Sequence, residues 1–118
     1  MITFQQPAVA EDWLEFRGPG GQGHSTTTGL PVSWSEESNI RWKTEIPGVG
    51  WSSPVVSAGR IYVTTSVGDA QDLKAPQSLQ ALCLDGATGE VIWKQEVFQQ
   101  SRDGVEIHEK NSHASPTP

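Results

Sequence analysis

Two short segments of the chain repeat one another, and this repeat limits the possible folds more than any other feature. Residues 40–46 read IRWKTEI and residues 91–97 read VIWKQEV, so that Trp, Lys and Glu fall in register. A second similarity links WSSPVV at 51–56 to HASPTP at 113–118. Trp42 and Trp93 lie 51 residues apart, which is the length of a small supersecondary unit rather than of a helical heptad.

The segments between the repeats predict short strands. Twelve Gly and eight Pro residues interrupt the chain, and no stretch has a helical period. We expect four strands that form one antiparallel unit, with a further short strand around Trp42. The four lie at 53–57, 60–66, 79–84 and 90–98, and the further one at 39–46. Repeats of this length with four strands each are typical of β-propeller blades, so the predicted fold class is all-β.

The turn at 85–89 has the composition of a tight reversal. The Asp85 carboxylate can accept hydrogen bonds from N–H groups two and three residues further on, and Gly89 can take a positive φ without strain. This turn fixes the register of the two outer strands. Trp93 then falls on a face of the unit, where we expect its ring to pack against a neighbouring blade.

The same turn carries a resemblance to a known family. Cys83-x-Asp85-x-x-Thr88-Gly89-x-x-x-Trp93 resembles the repeat of pyrroloquinoline-quinone-like (PQQ-like) β-propellers, in which Ala usually stands at the first position. DWLEFRGP at 12–19, GLP at 29–31 and NIRWK at 39–43 resemble the N-terminal arm of exported bacterial propellers of this superfamily. These include proteins similar to the propeller subunit of the outer-membrane barrel-assembly machine. The resemblance covers about residues 11–118, and it implies structural repeat positions at Asp85, Thr88, Gly89, Trp93 and Trp42.

The resemblance also implies a domain organisation. Residues 11–38 form an extended arm, and residues 39–118 form the N-terminal part of a β-propeller with one complete blade at about 53–98. A closed ring needs about four to eight blades, so we expect the chain to be the N-terminal fragment of a longer protein. Ala8-Val9-Ala10 has the small-x-small form of a signal-peptidase site. Residues 1–10 are therefore either a remnant of an export signal or a chance match. The expected location is the periplasm or the cell exterior.

Composition and charge narrow the classes of partner. The net charge is −6, which disfavours nucleic acid and anionic membrane surfaces. No apolar run approaches the ~20 residues of a membrane span. Cys83 is the one cysteine and sits in an apolar alternation, so we expect it to be a small buried side chain rather than a reactive thiol.

Motifs that could carry chemistry are weak. Residues 18–23 (GPGGQG) match a dinucleotide-binding glycine pattern, but no strand precedes them and no helix follows, which favours a flexible arm. The His and Glu side chains at 106, 108, 109 and 113 and the loop acids Asp69, Asp72 and Asp103 lack the spacing of a metal site. We predict no catalytic, cofactor-binding or metal-binding residue.

Two functions stay open from the sequence. The first is a non-catalytic binding or scaffold propeller. It would hold a protein or polysaccharide partner through the face that carries the long loops 67–78 and 99–112. The alternative is the N-terminal piece of a quinoprotein-type dehydrogenase that uses pyrroloquinoline quinone with calcium, as the resemblance also allows. The absence of a catalytic motif favours the scaffold over the enzyme.

Overall fold

The chain folds around one antiparallel sheet of four strands. The computed structural model describes residues 11–69, 71–72, 74–101 and 110–118. The strands follow one another in order across the sheet: β1 at Val55–Ser57, β2 at Arg60–Val67, β3 at Gln77–Asp85 and β4 at Val91–Gln100. The only helical turn of the described residues is a 3₁₀ turn at Pro19–Gly21. The predicted all-β class is therefore confirmed, and each predicted strand of the sheet lies within a few residues of an observed one.

Side-chain chemistry explains the two inner strands. β2 is rich in β-branched and aromatic residues, which fit a pleated surface, and it pairs with β3 over its whole length from Arg60↔Asp85 to Val67↔Ser78. The β1–β2 connection is a two-residue turn at Ala58 and Gly59, with φ of 48° and 74°. Positive φ at both positions gives the backbone twist that a tight hairpin requires.

β4 is an irregular edge strand. Its register against β3 shifts between Leu79 and Gln80 and again between Cys83 and Leu84. The first shift leaves Val97 without a partner on β3, and the second does the same for Ile92. Such bulges bend and twist an edge strand, and they limit uncontrolled pairing with other chains.

The predicted strand at 39–46 does not form. Exposure alternates along residues 41–46 as it does in a strand, but this segment makes no ladder with any described strand. Its side chains instead donate hydrogen bonds to the β3–β4 turn, as described below. The chain pairs with the sheet a few residues later, where Val49 and Ser66 exchange two backbone hydrogen bonds of 2.9 and 2.8 Å.

The arm at 11–38 also touches the sheet. Trp13 and Val56 exchange two backbone hydrogen bonds of 2.7 and 2.8 Å on the free edge of β1. Asp12 Oδ1 accepts a hydrogen bond of 2.8 Å from the N–H of Ala58 and so caps the β1–β2 turn. The ring of Trp13 lies over Gly18, where any side chain would collide with it. The extended arm is thus anchored at its start.

The buried core is small and partly polar. Among the described residues the buried hydrophobic side chains are Ala75, Leu82, Cys83, Leu84 and Ala114, which confirms the buried position predicted for Cys83. Thr65 and Ser66 are also buried, and their hydroxyl groups bond the carbonyl of Pro47 and the side chain of Gln77. Satisfied hydroxyls of this kind can replace apolar contacts where a loop crosses the sheet.

Candidate functional site

The β3–β4 turn is held by one carboxylate. Asp85 Oδ1 accepts hydrogen bonds from the N–H groups of Ala87 at 2.8 Å and Thr88 at 2.9 Å. The N–H of Gly89 bonds the carbonyl of Asp85 at 2.8 Å, and Gly89 has a φ of 76°. These contacts confirm the roles predicted for Asp85 and Gly89. The Thr88 N–H, and next the Ala87 N–H, hold the pKa of Asp85 below its ordinary value of 3.8.

Trp42 docks on this turn. Its Nε1–H donates a hydrogen bond of 3.1 Å to the carbonyl of Gly86, and its ring lies against Gly89. Two residues on, Thr44 Oγ1 donates a bond of 2.6 Å to the carbonyl of Gly89. The segment at 40–46 therefore satisfies two turn carbonyls with side-chain donors. The repeat of Trp42 and Trp93 predicted a shared role but gave no sign of this docking, which depends on the carbonyl of Gly86 and on the absence of a side chain at Gly89.

Trp93, the repeat counterpart of Trp42, has a different environment. Its ring centroid lies 6.2 Å from that of Tyr62 on β2, across the intervening strand β3, and the ring planes are tilted by 52°. The side chain of Trp93 keeps 41% of its surface exposed. In the alignment of 91–97 with 40–46, Gln95 occupies the position of Thr44. A tilted aromatic pair orients the ring on the face of the sheet while leaving one side of it open. The expected packing against a neighbouring blade stays a prediction.

β4 carries apolar side chains on both of its faces. Within its register, Trp93 pairs with Cys83, whereas Val91 pairs with Leu84 on the opposite face. The large exposed hydrophobic residues of this strand, with exposed fractions of 41–69%, are Val91, Ile92, Trp93, Val97 and Phe98. Several large exposed apolar side chains gathered on one edge strand are a frequent mark of an interface.

The long and short connections lie at opposite ends of the sheet, as predicted. The short turns meet at one end, where the N–H of Gly86 bonds the carbonyl of Gly59 at 2.9 Å. At the other end, Gln77 pairs with Gln100, so the loops at 67–78 and 99–112 begin or end side by side. Of these loops, residues 70, 73 and 102–109 lie outside the described part of the chain.

The weaker motifs have no organised site in the described residues. No group of three or more His, Cys, Asp or Glu side chains converges there, and Asp103, Glu106, His108 and Glu109 lie outside the described residues. His113 lies 3.0 Å from the side-chain nitrogen of Gln100. The glycine pattern at 18–23 forms the short 3₁₀ turn of the arm. No helix in the described ranges is long and apolar enough to cross a membrane.

Cavities that the sequence did not predict open on the surface of the described residues, among them a smaller and a larger one. The smaller, of about 240 Å³, lies between the sheet and the segment after residue 112, and its lining includes Leu79, Gln80, Phe98 and His113. Gln80 Oε1 is buried there without a hydrogen-bond partner. The larger, of about 620 Å³ and called the arm cavity below, lies between the end of the arm and the segment that follows it. It is lined by Trp34, Ser35, Glu36, Ile40, Trp42 and Lys43.

Comparison with known proteins gives no match: no family model, no curated protein and no solved structure is significantly similar to this chain.

The docking of Trp42 predicts a specific cost of adding one methyl group to the turn. A Cβ at Gly89 would lie 2.5 Å from the Trp42 ring and 2.7 Å from Thr44 Oγ1. We expect Gly89→Ala to lower the free energy of unfolding by about 3 kcal/mol, because clash adds to the strain of a positive φ. Urea denaturation followed by tryptophan fluorescence measures this loss.

Gly59→Ala is the matched control. Gly59 has nearly the same φ, 74°, and no atom lies within 4 Å of the added methyl group. It should cost only about 1–2 kcal/mol of backbone strain. Equal losses from the two substitutions would show that Trp42 does not rest on the turn in solution.

The lowered pKa of Asp85 predicts a pH dependence. Since the folded-state pKa lies below 3.8, the charged carboxylate favours the folded state above that pH, and its contribution is lost as the pH falls through the folded-state pKa. Asp85→Asn keeps an acceptor oxygen but removes the charge. We expect the variant to have a lower urea midpoint than the wild type at neutral pH and the same midpoint in strong acid. A difference between the two urea midpoints that stays constant with pH would contradict a lowered pKa at Asp85.

Proposed function

We propose that this chain is a non-catalytic binding or scaffold unit, built as one blade of a PQQ-like β-propeller from an exported bacterial protein. The observation that carries the proposal is the set of exposed apolar side chains on β4, of which Trp93 and Phe98 share one face and Val91 lies on the other. A sheet that covers a core needs one apolar face, whereas a sheet packed between neighbours needs two. The repeat positions Asp85, Thr88, Gly89 and Trp93 support the same assignment from the sequence.

The energetics of β4 favour an interaction surface. Trp93 and Phe98 keep 41% and 58% of their surface exposed. Burying a large apolar side chain completely contributes about 1.5–3 kcal/mol, so five partly exposed residues offer several kcal/mol to a partner that covers them. A rigid edge strand presents them without much further loss of conformational entropy.

The ends of the sheet suggest how a partner is selected. The end with the short turns is occupied by the chain itself, because Trp42 and Thr44 already bond the turn at 85–89. The opposite end carries the loops at 67–78 and 99–112, which vary most easily in length and sequence. We assign general packing to the faces of β4 and recognition of a protein or polysaccharide partner to these loops.

Site-specific photo-crosslinking tests the proposal in the cells that make the protein. A benzophenone amino acid replaces Val97, which is 69% exposed on β4. We expect a discrete covalent adduct in the periplasmic fraction, because a packed neighbour holds the probe against one surface.

The matched control places the same probe at Val32, which is 97% exposed on the arm and belongs to no strand. It should give no discrete adduct. Equal crosslinking from both positions, or none from position 97, would contradict a packed β4. Recovery of the intact protein in the cytoplasm would contradict export.

A further inference from the structure

The arm cavity contains a small group of residues with complementary chemistry. Trp34, Ile40 and Trp42 supply apolar lining, and Ser35, Glu36 and Lys43 supply polar groups. Its volume of about 620 Å³ falls in the range of small-molecule sites, which run from roughly 300 to 1,000 Å³. Mostly apolar walls with a few polar groups that converge are the usual composition of such sites.

Local contacts hold the walls of this cavity in place. Trp42 is fixed by its bond to Gly86 and by its contact with Gly89. On the other wall, Ser35 and Ser38 exchange backbone hydrogen bonds of 3.0 and 3.1 Å. Asn39 takes a positive φ of 61°, and its Nδ2 donates a bond of 2.8 Å to the carbonyl of Ser33. A loop closed in this way loses little entropy when a ligand binds.

Folding does not explain the position of Trp34. Its side chain is 69% exposed, although it is the largest apolar side chain on that loop. The Lys43–Glu36 ion pair at 3.1 Å is also of little use for stability, since the two side chains are 82% and 88% exposed. Exposed pairs contribute about 0–1 kcal/mol. An exposed indole beside exposed donors and acceptors is suited to contact with a ligand.

We propose that this cavity binds β-linked pyranose units of a polysaccharide. In a pyranose with equatorial substituents, each ring face presents only C–H groups, which carry a small positive charge and suit the negative face of an indole. The hydroxyl groups at the ring edge are both donors and acceptors. The Glu36 carboxylate accepts from them, and the Lys43 ammonium donates to them.

Other ligand classes fit this cavity less well. A cation would be repelled by the ammonium of Lys43. The carboxylate that would attract a cation, that of Glu36, is already paired with this ammonium. A proline-rich peptide docks in aromatic-lined grooves, but of the two indole N–H groups available to its carbonyls, that of Trp42 is already bonded to Gly86. This site is separate from β4, so its test does not depend on the proposed scaffold function.

Titration of the ¹⁵N-labelled full chain tests the site. The probes are cellohexaose and chitohexaose, with a proline-rich decapeptide and tetramethylammonium as competing classes. We expect saturable shifts of the indole N–H signals of Trp34 and Trp42 with at least one hexaose, at a Kd in the millimolar range or tighter. Trp34→Ala should weaken binding by about tenfold or more, and Glu36→Gln by several-fold.

Trp51→Ala is the matched control, because Trp51 is 68% exposed but does not line the cavity. It should bind the hexaose as the wild type does. The backbone spectra of the variants show whether the fold is kept, and Glu36→Gln, a change at an exposed side chain, gives a second test that does not depend on removing an indole. Absence of saturable shifts with both hexaoses, saturation by the peptide or the cation alone, or equal losses from Trp34→Ala and Trp51→Ala would overturn the proposal.

Discussion

The hydrogen bonds from two backbone N–H groups to the Asp85 carboxylate are the contact on which the rest of the structure depends. They close the turn that joins β3 to β4, and the closed turn presents the carbonyls of Gly86 and Gly89 to the segment at 40–46. Trp42 and Thr44 bind those carbonyls, and Trp42 then forms one wall of the arm cavity. A single carboxylate therefore organises an edge strand, the docking of the segment at 40–46 and one wall of a candidate binding site.

Apolar surface is distributed unusually in this chain. Only five hydrophobic side chains are buried among the described residues, whereas thirteen large ones are exposed, including Trp34, Trp51 and Phe98. The radius of gyration is 17.1 Å, against about 13.5 Å for a compact chain of this length. Stability here relies on the ladder between β2 and β3 and on buried hydroxyls such as those of Thr65 and Ser66. Much of the large apolar surface of the described residues stays exposed.

The sequence predicted the sheet well because its signals are local. β-Branched residues, alternation and the turn residues at 58–59 and 85–89 are all within a few positions of one another, and the strands follow them. It failed at 39–46, where the likeness to 91–97 predicted a strand, because this segment bonds the β3–β4 turn through its side chains and pairs with no described strand. Pairing depends on what the tertiary fold places alongside, as in the bridge between Trp13 and Val56. The arm cavity was missed because the Ser35–Ser38 bridge and the docking of Trp42 shape it, and neither contact leaves a periodic pattern in the sequence.

Hydrogen exchange of the Trp42 indole N–H measures the dependence of the arm on the turn most directly. Asp85→Ala removes the carboxylate that holds the turn, and Asp12→Ala removes the corresponding cap on the other turn, at Ala58. We expect the indole N–H of Trp42 to be protected from exchange in the wild type and in Asp12→Ala. In Asp85→Ala it should exchange much faster than in the wild type. Protection that persists in Asp85→Ala, or that is lost equally in both variants, would contradict the central place of the Asp85 turn.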